Sequence, residues 1–179
     1  MVSDNQIAQR YAKAVLDLAI EKGIIDQVEQ DMELYQRVND ENRQFYVVMH
    51  NPIIRAHKKL AVLKDIFGNK VSDVMILLFE ILARRSREEM LYTISVAFRE
   101  QYNKYKNIQE VYVTSTVAIS DPLKDELRAA LEKSTGKTIK IEEKIDESLI
   151  GGMTIRIGDT QLDNSIKSQL QKIKQNFRS

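Results

Sequence analysis

The chain has 179 residues, enough for one domain or two small ones, and at 43% hydrophobic and 30% charged it has the balance of a folding, soluble chain. Basic and acidic residues nearly cancel (27 against 26, formal net charge +1), and they do so on both sides of Lys106, which argues against nucleic acid or anionic lipid as the main partner. There is no cysteine, so disulfides, thiol catalysis and cysteine zinc sites are excluded.

The N-terminus has neither a signal core nor the look of a transit peptide, and the longest apolar run, Val74 to Phe79, is far too short to cross a bilayer. A chain on the cytoplasmic side without membrane insertion is expected. The first helix is predicted from Asp4 to Lys22, with Ser3 or Asp4 as N-cap and Gly23 past its end. At 100° per residue it carries two apolar strips. Ile7, Tyr11, Ala14 and Leu18 form one; Ala8, Ala12, Val15 and Ala19 form a flatter one beside it. Gln6, Gln9, Arg10, Lys13, Asp17 and Glu21 share the polar arc. A surface helix needs a stripe of only about 100°. Either this helix is sunk in its own bundle, or one strip packs inward and the other receives a partner's helix.

A second helix is expected over Ile24 to Asn39 and a short third one around Phe45 to Met49. Asn51-Pro52 breaks the chain before a fourth that ends at Phe67. The fifth, Val71 to Ala83, is apolar on nearly every side, which suits either the centre of a bundle or a docking surface. Arg84-Arg85-Ser86-Arg87 follows and reads either as an anion site or as ordinary solvated partners of a helix end. A sixth helix, Glu88 to Lys106, turns Leu91, Ile94, Phe98, Tyr102 and Tyr105 to one face.

The period then changes. Ile108 to Ile119 alternates as a long strand. Asp121-Pro122 opens a helix, with Asp121 as N-cap, and Leu123, Leu127, Ala130 and Leu131 give it an apolar face. Ile139, Ile141 and Ile145 alternate in one strand and Met153, Ile155 and Ile157 in another. Thr160 to Leu162 pairs back through the Gly158-Asp159 turn. The adjacent Gly151 and Gly152 imply a bulge, a positive φ or a close backbone contact. A last helix from Ser165 carries Ile166, Leu170, Ile173 and Phe177. The fold class is mainly α: a six-helix bundle over residues 1–106, then a small α/β domain with a mixed sheet over 107–179.

No reactive constellation emerges. His50 and His57 flank the proline turn without ligands at metal spacing, and no phosphate-binding glycine loop or nucleophile elbow is present. Glu88-Glu89 and Glu142-Glu143 read as solvated charge. No catalytic residue, cofactor or metal is expected.

The residues in order resemble the delta subunit of the bacterial rotary ATP synthase, the family of the oligomycin sensitivity-conferring protein. Arg10-Tyr11-Ala12-Lys13-Ala14-Val15-Leu16-Asp17-Leu18-Ala19 is similar to the family's first-helix motif. Asn51-Pro52-Ile53 with Lys59 is similar to its proline turn. Ile145-Asp146, Leu149, Gly151-Gly152, Ile155-Arg156, Gly158, Asp163 and Ser165, with Leu170 behind them, match its C-terminal signature; Asn164 stands where glycine is expected, a substitution that a left-handed turn tolerates.

The resemblance implies a non-catalytic stator subunit of a proton-translocating ATP synthase, one copy per complex, on the cytoplasmic face of the bacterial inner membrane. It implies that the bundle binds the N-terminal helix of an alpha subunit against the first and fifth helices, through Ile7, Tyr11, Ala14, Leu18, Val74 and Leu78. It implies that the C-terminal domain binds the b subunits of the peripheral stalk, and that Asp146, Gly151, Gly152, Arg156, Gly158 and Asp163 form a structural signature. The competing readings are a helical adaptor of unrelated function and an enzyme with a site across the domain boundary using Glu or Tyr. An apolar groove on the first and fifth helices favours the first, and a ligand-sized pocket with a perturbed carboxylate favours the enzyme.

Overall fold

The computed structural model describes residues 4–176. The chain divides into two compact units, Met1–Tyr102 and Asn103–Ser179. The described residues are mainly helical, with eight α-helices and one four-stranded mixed sheet.

Six helices precede the first strand: α1 (Asp4–Glu21), α2 (Ile25–Glu41), α3 (Arg43–His50), α4 (Ala56–Phe67), α5 (Asp73–Arg84) and α6 (Leu91–Lys106), the last entered through a 3₁₀ turn at Glu88–Met90. Asp4 lies inside α1; Ser3 is outside the described residues. Gly23, at φ +67, closes α1, and the Ile24 N–H returns to the Ala19 carbonyl. The core of this unit is one cluster fed by all six helices. At its centre Tyr35, Phe45, Phe67 and Phe79, one from each of α2 to α5, meet at ring separations of 5.8 to 6.0 Å. Tyr105, placed by its spacing on the inner face of α6, is exposed instead, because α6 outruns the cluster that covers Leu91, Ile94 and Phe98.

Polar residues fix the ends. The Asp31 carboxylate, buried on α2, accepts the Ser72 N–H at 2.7 Å and so supports the N-terminus of α5. Gln9, on the polar arc of α1, is half-buried: Gln101 of α6 donates to its carbonyl and side chain, and it donates to Glu100.

The second unit contains β1 (Ile108–Ser115), α7 (Asp121–Thr135), β2 (Thr138–Ile145), a 3₁₀ turn at Glu147–Leu149, β3 (Met153–Ile157), β4 (Thr160–Asp163) and α8 (Ile166–Asn176). Spatial order is β2-β1-β3-β4, with β1 parallel to β2 and antiparallel to β3. The first strand is shorter than its alternation suggests. The Ser115 hydroxyl donates to the Val117 carbonyl and ends pairing, leaving Val117 exposed while Ile119 returns to the core. Ser120, not Asp121, is the N-cap of α7; Asp121 and Pro122 occupy its first turn.

Register sorts the two faces of the sheet. Val111 and Val113 are flanked by Ile141 on β2 and by Ile157 and Ile155 on β3, and with Ile139 they pack under Leu127 and Leu131 of α7. Leu123 and Ala130 of α7 stay exposed. The opposite face is polar, and Arg156 lies 4.8 Å over the ring of its register partner Tyr112. Of the stripe expected on α8, Ile166 and Leu170 are exposed, and the Ile173 side chain and Phe177 lie outside the described residues.

Candidate functional site

The two strips of α1 have different fates. Ala8, Ala12, Val15 and Ala19 are buried, joined by Leu16. Ile7, Tyr11 and Leu18 are half-buried and Ala14 is exposed. These four recur at i, i+4, i+7 and i+11, so they form a continuous row about 16 Å long. Its small central residue leaves a shallow trough. Ile7, Tyr11 and Ala14 line a groove of about 320 Å³ there, bordered by Arg10 and Arg87.

α5 corrects the expectation for its own face. Val74 and Leu78 are each only 2% exposed and belong to the core cluster, so neither is open to a partner. The apolar residues that α5 leaves in solvent are Leu77 at 45% and Ile81 at 39%. α5 packs against α1. A helix apolar all round has no phase that pattern alone can set, so the sequence does not separate exposed Leu77 and Ile81 from their buried neighbours.

Of the signature residues, Asp146, Gly151, Gly152 and Asp163 lie at a joint between β3, the 3₁₀ turn and α8, whereas Arg156 lies over Tyr112 on the polar face of the sheet and Gly158 in the β3–β4 turn. The Ile166 N–H donates to the Gly151 carbonyl at 3.0 Å, and a Cβ on Gly151 would lie 2.6 Å from the Ile166 Cδ1. Gly152 has φ +77, and a Cβ there would collide with the Asn164 carbonyl. Asp163 accepts the Ser165 N–H at 2.9 Å and the Ser168 hydroxyl at 2.6 Å, and the buried Ser165 hydroxyl accepts the Ser168 N–H. The first turn of α8 is thereby capped. Asp146 accepts the Ser148 N–H at 2.9 Å, and that bonding, with Lys167 and Lys144 nearby, holds its carboxyl below the usual range. Gly158 supplies φ +55 at the β3–β4 turn. Asn164 does not have a positive φ, so no glycine is needed there for that reason; the non-glycine residue with positive φ in this segment is Ile150 at +67, which the sequence did not single out. Ile150, Ile166, Leu170 and Leu162 remain exposed around this joint.

The motif at the proline turn is also structural. Asn51 accepts the Ile53 N–H, and the buried Lys59 ammonium donates to the Met49 carbonyl at 2.7 Å, capping α3.

Two acidic residues expected in solvent are not there. Glu88 is buried. Glu143 lies on the helix side of the sheet, where Lys124 at 2.7 Å and the Ile119 N–H at 2.5 Å hold its carboxyl below the usual range and raise the lysine. Glu80, in a depression of about 480 Å³, is held low by the Lys64 ammonium at 2.6 Å. Carboxylates kept ionised by surface ammonium groups are the opposite of a raised general acid. His50 stacks on Tyr46 and His57 is exposed. Among the described residues no cluster of three His, Asp or Glu could hold a metal ion, and no helix is long and apolar enough to cross a membrane.

The family model for the ATP synthase delta (OSCP) subunit matches residues 7–177. The chain belongs to the ATP synthase delta (OSCP) family. It is 36% identical to an ATP synthase subunit delta of Cytophaga hutchinsonii, over 98% of this chain and 96% of that protein. It is likewise 36% identical to one of Amoebophilus asiaticus, over the same shares. In fold it is similar to a chain of the Toxoplasma gondii mitochondrial ATP synthase hexamer, with a TM-score of 0.73 and 19% identity over 96% of this chain and 97% of that one. As a delta/OSCP subunit the protein is a non-catalytic, structural part of the ATP synthase stator. A structural subunit acts through surfaces and joints, and among the described residues the apolar row on α1 and the exposed residues around α8 are two surfaces of that kind.

Proposed function

We propose that the chain is the joint between the catalytic head and the peripheral stalk of a bacterial ATP synthase, one copy per complex, at the cytoplasmic face of the inner membrane. In this reading α1 to α6 form a six-helix bundle, residues 1–106, that takes the N-terminal helix of an alpha subunit. Residues 107–179 take the b subunits. Rotor torque would otherwise turn the head, and the joint resists it by tight apolar burial, not by chemistry.

The observation that carries the reading is the row Ile7, Tyr11, Ala14 and Leu18, left half-open beside a fully buried alanine strip. Leu77 and Ile81 take the place of Val74 and Leu78 as the α5 contribution. For the second unit, Ile150, Leu162, Ile166 and Leu170 offer apolar surface that the unit does not itself bury.

The test is calorimetric titration with a synthetic peptide of the alpha subunit's N-terminal helix from the same organism. One-to-one binding with negative ΔCp is expected. Ala14→Asp and Leu77→Asp, both at exposed positions, should fold and weaken binding by about tenfold or more, roughly 1.4 kcal/mol. Leu78→Asp should instead disrupt the fold, because it buries an unpaired charge in the core. Wild-type affinity in folded Ala14→Asp, or no binding by wild type, refutes the assignment of this face.

A further inference from the structure

The basic run after α5 has a placement that its sequence conceals. Ser86 adopts a left-handed conformation at φ +51, and the Arg87 N–H turns back to the Leu82 carbonyl at 3.0 Å. Arg87 is thereby set in the wall of the α1 groove, with Ile7, Arg10, Tyr11 and Ala14. Arg10 and Arg87 are both exposed, and among the described residues neither guanidinium makes a hydrogen bond or an ion pair. Other arginines do find acids: Arg128 pairs with Asp125 at 2.7 Å and Arg99 approaches Glu33.

Two unpaired guanidinium groups beside an apolar floor are harmless in water. Covering them with a wholly apolar helix would strip their hydration and give nothing back. Covering them with a helix that brings a carboxylate converts the same groups into charge-assisted, bidentate hydrogen bonds at the rim of the contact. We infer that the groove selects an amphipathic helix bearing an aspartate or glutamate where it passes Arg10 and Arg87, and that this pair fixes the register of docking while the apolar row supplies the burial. The inference rests on the proposed docking of a partner helix on α1 and adds the chemistry that the helix must carry.

The experiment uses the full chain and the same alpha-subunit peptide. Arg10→Gln/Arg87→Gln, checked for wild-type circular dichroism, should bind about tenfold more weakly and lose the salt dependence shown by wild type. Peptides with each acidic residue changed singly to its amide should identify one position whose loss weakens wild type and leaves the double variant unaffected. A peptide with lysine at that position should restore binding to Arg10→Glu/Arg87→Glu. Wild-type affinity and salt dependence in the double glutamine variant would overturn the inference, and loss of binding in Ala14→Asp in the same series would show that the groove itself still stands. Displacement of the peptide by inorganic phosphate would overturn it differently, by making the pair a small-anion site. Failure of the wild-type chain to bind any peptide removes both readings.

Discussion

Replacing Gly152 with alanine separates two demands that glycine meets here. Gly158→Ala is the reference: the φ is +55 and a Cβ there meets nothing within 4 Å. It costs the left-handed strain alone, about 1–2 kcal/mol, offset in part by a gain of about 0.4–1 kcal/mol from the stiffer unfolded chain. Gly152 pays the same strain at φ +77, and its Cβ also drives into the Asn164 carbonyl and lies 3.1 Å from the Ser165 Cα. That segment cannot yield freely. The Asn164 N–H is bonded to the Met153 carbonyl at 3.1 Å and the Ile166 N–H to the Gly151 carbonyl at 3.0 Å. Stretching both adds roughly 1–3 kcal/mol at about 1 kcal/mol per bond. Amide hydrogen exchange at Ile155 and Val113, on the paired strands β3 and β1, reads the opening of this unit. Exchange should rise about tenfold or less in Gly158→Ala and by a further factor of roughly five to 150 in Gly152→Ala, with Phe98 in the helical unit unchanged. Equal effects of the two substitutions would refute the close approach of β3 to the start of α8.

Two further outcomes are expected. Asp31→Ala leaves the N-terminus of α5 without its acceptor at Ser72, and should lower stability to urea by about 1.5–3 kcal/mol, the range for a buried bond to a charged group, while Asp17→Ala on exposed α1 surface should change it little. Glu143 has a folded pKa below its usual value of 4.5, chiefly through its hydrogen bond with Lys124. Its contribution is therefore complete above that value and is lost as pH falls through the depressed one. The stability difference between wild type and Glu143→Gln, followed by hydrogen exchange at Val113, should be largest at neutral pH and shrink on acidification below 4.5; a difference that grows in acid would contradict the pairing.

The elements that were legible in the sequence are those whose signal is local. The two strips of α1, the proline turn, the change of period near Asn107 and the short β4 each follow from spacing within a few residues. What was not legible depends on residues distant in the chain. Asp31 is polar on an otherwise ordinary helix, and only the arrival of Ser72, forty-one positions on, makes it a cap. Glu143 interrupts the isoleucine face of β2, and its tolerance depends on Lys124 from α7 and the Ile119 N–H. Glu88 looks like one of a solvated pair until the 3₁₀ turn buries it. The strand β1 ended early because a serine hydroxyl found a carbonyl two residues away, a bond that alternation of side chains does not encode.

α1 and α5 together show what an excess of apolar surface does and does not disclose. Each helix carries more than a single core contact requires, and in both cases the excess was visible. In α1 the two strips differ in size, so the flat alanine strip packs tightly inside and the bulkier row is left outside. In α5 apolar side chains stand on nearly every side, so composition cannot say which side is spare; the core takes Val74, Met75, Leu78, Phe79 and Leu82, Ile76 is half-buried, and Leu77 and Ile81 are the apolar residues left exposed. The amount of surplus is thus a property of the sequence, while its direction is a property of the packing. A stator joint needs both: enough surplus to bind a helix, and a core complete enough without it that the unpartnered subunit still folds. The separation of Leu77 from Leu78 by a single position is where those two requirements meet, and it is why aspartate at one should cost binding and at the other the fold.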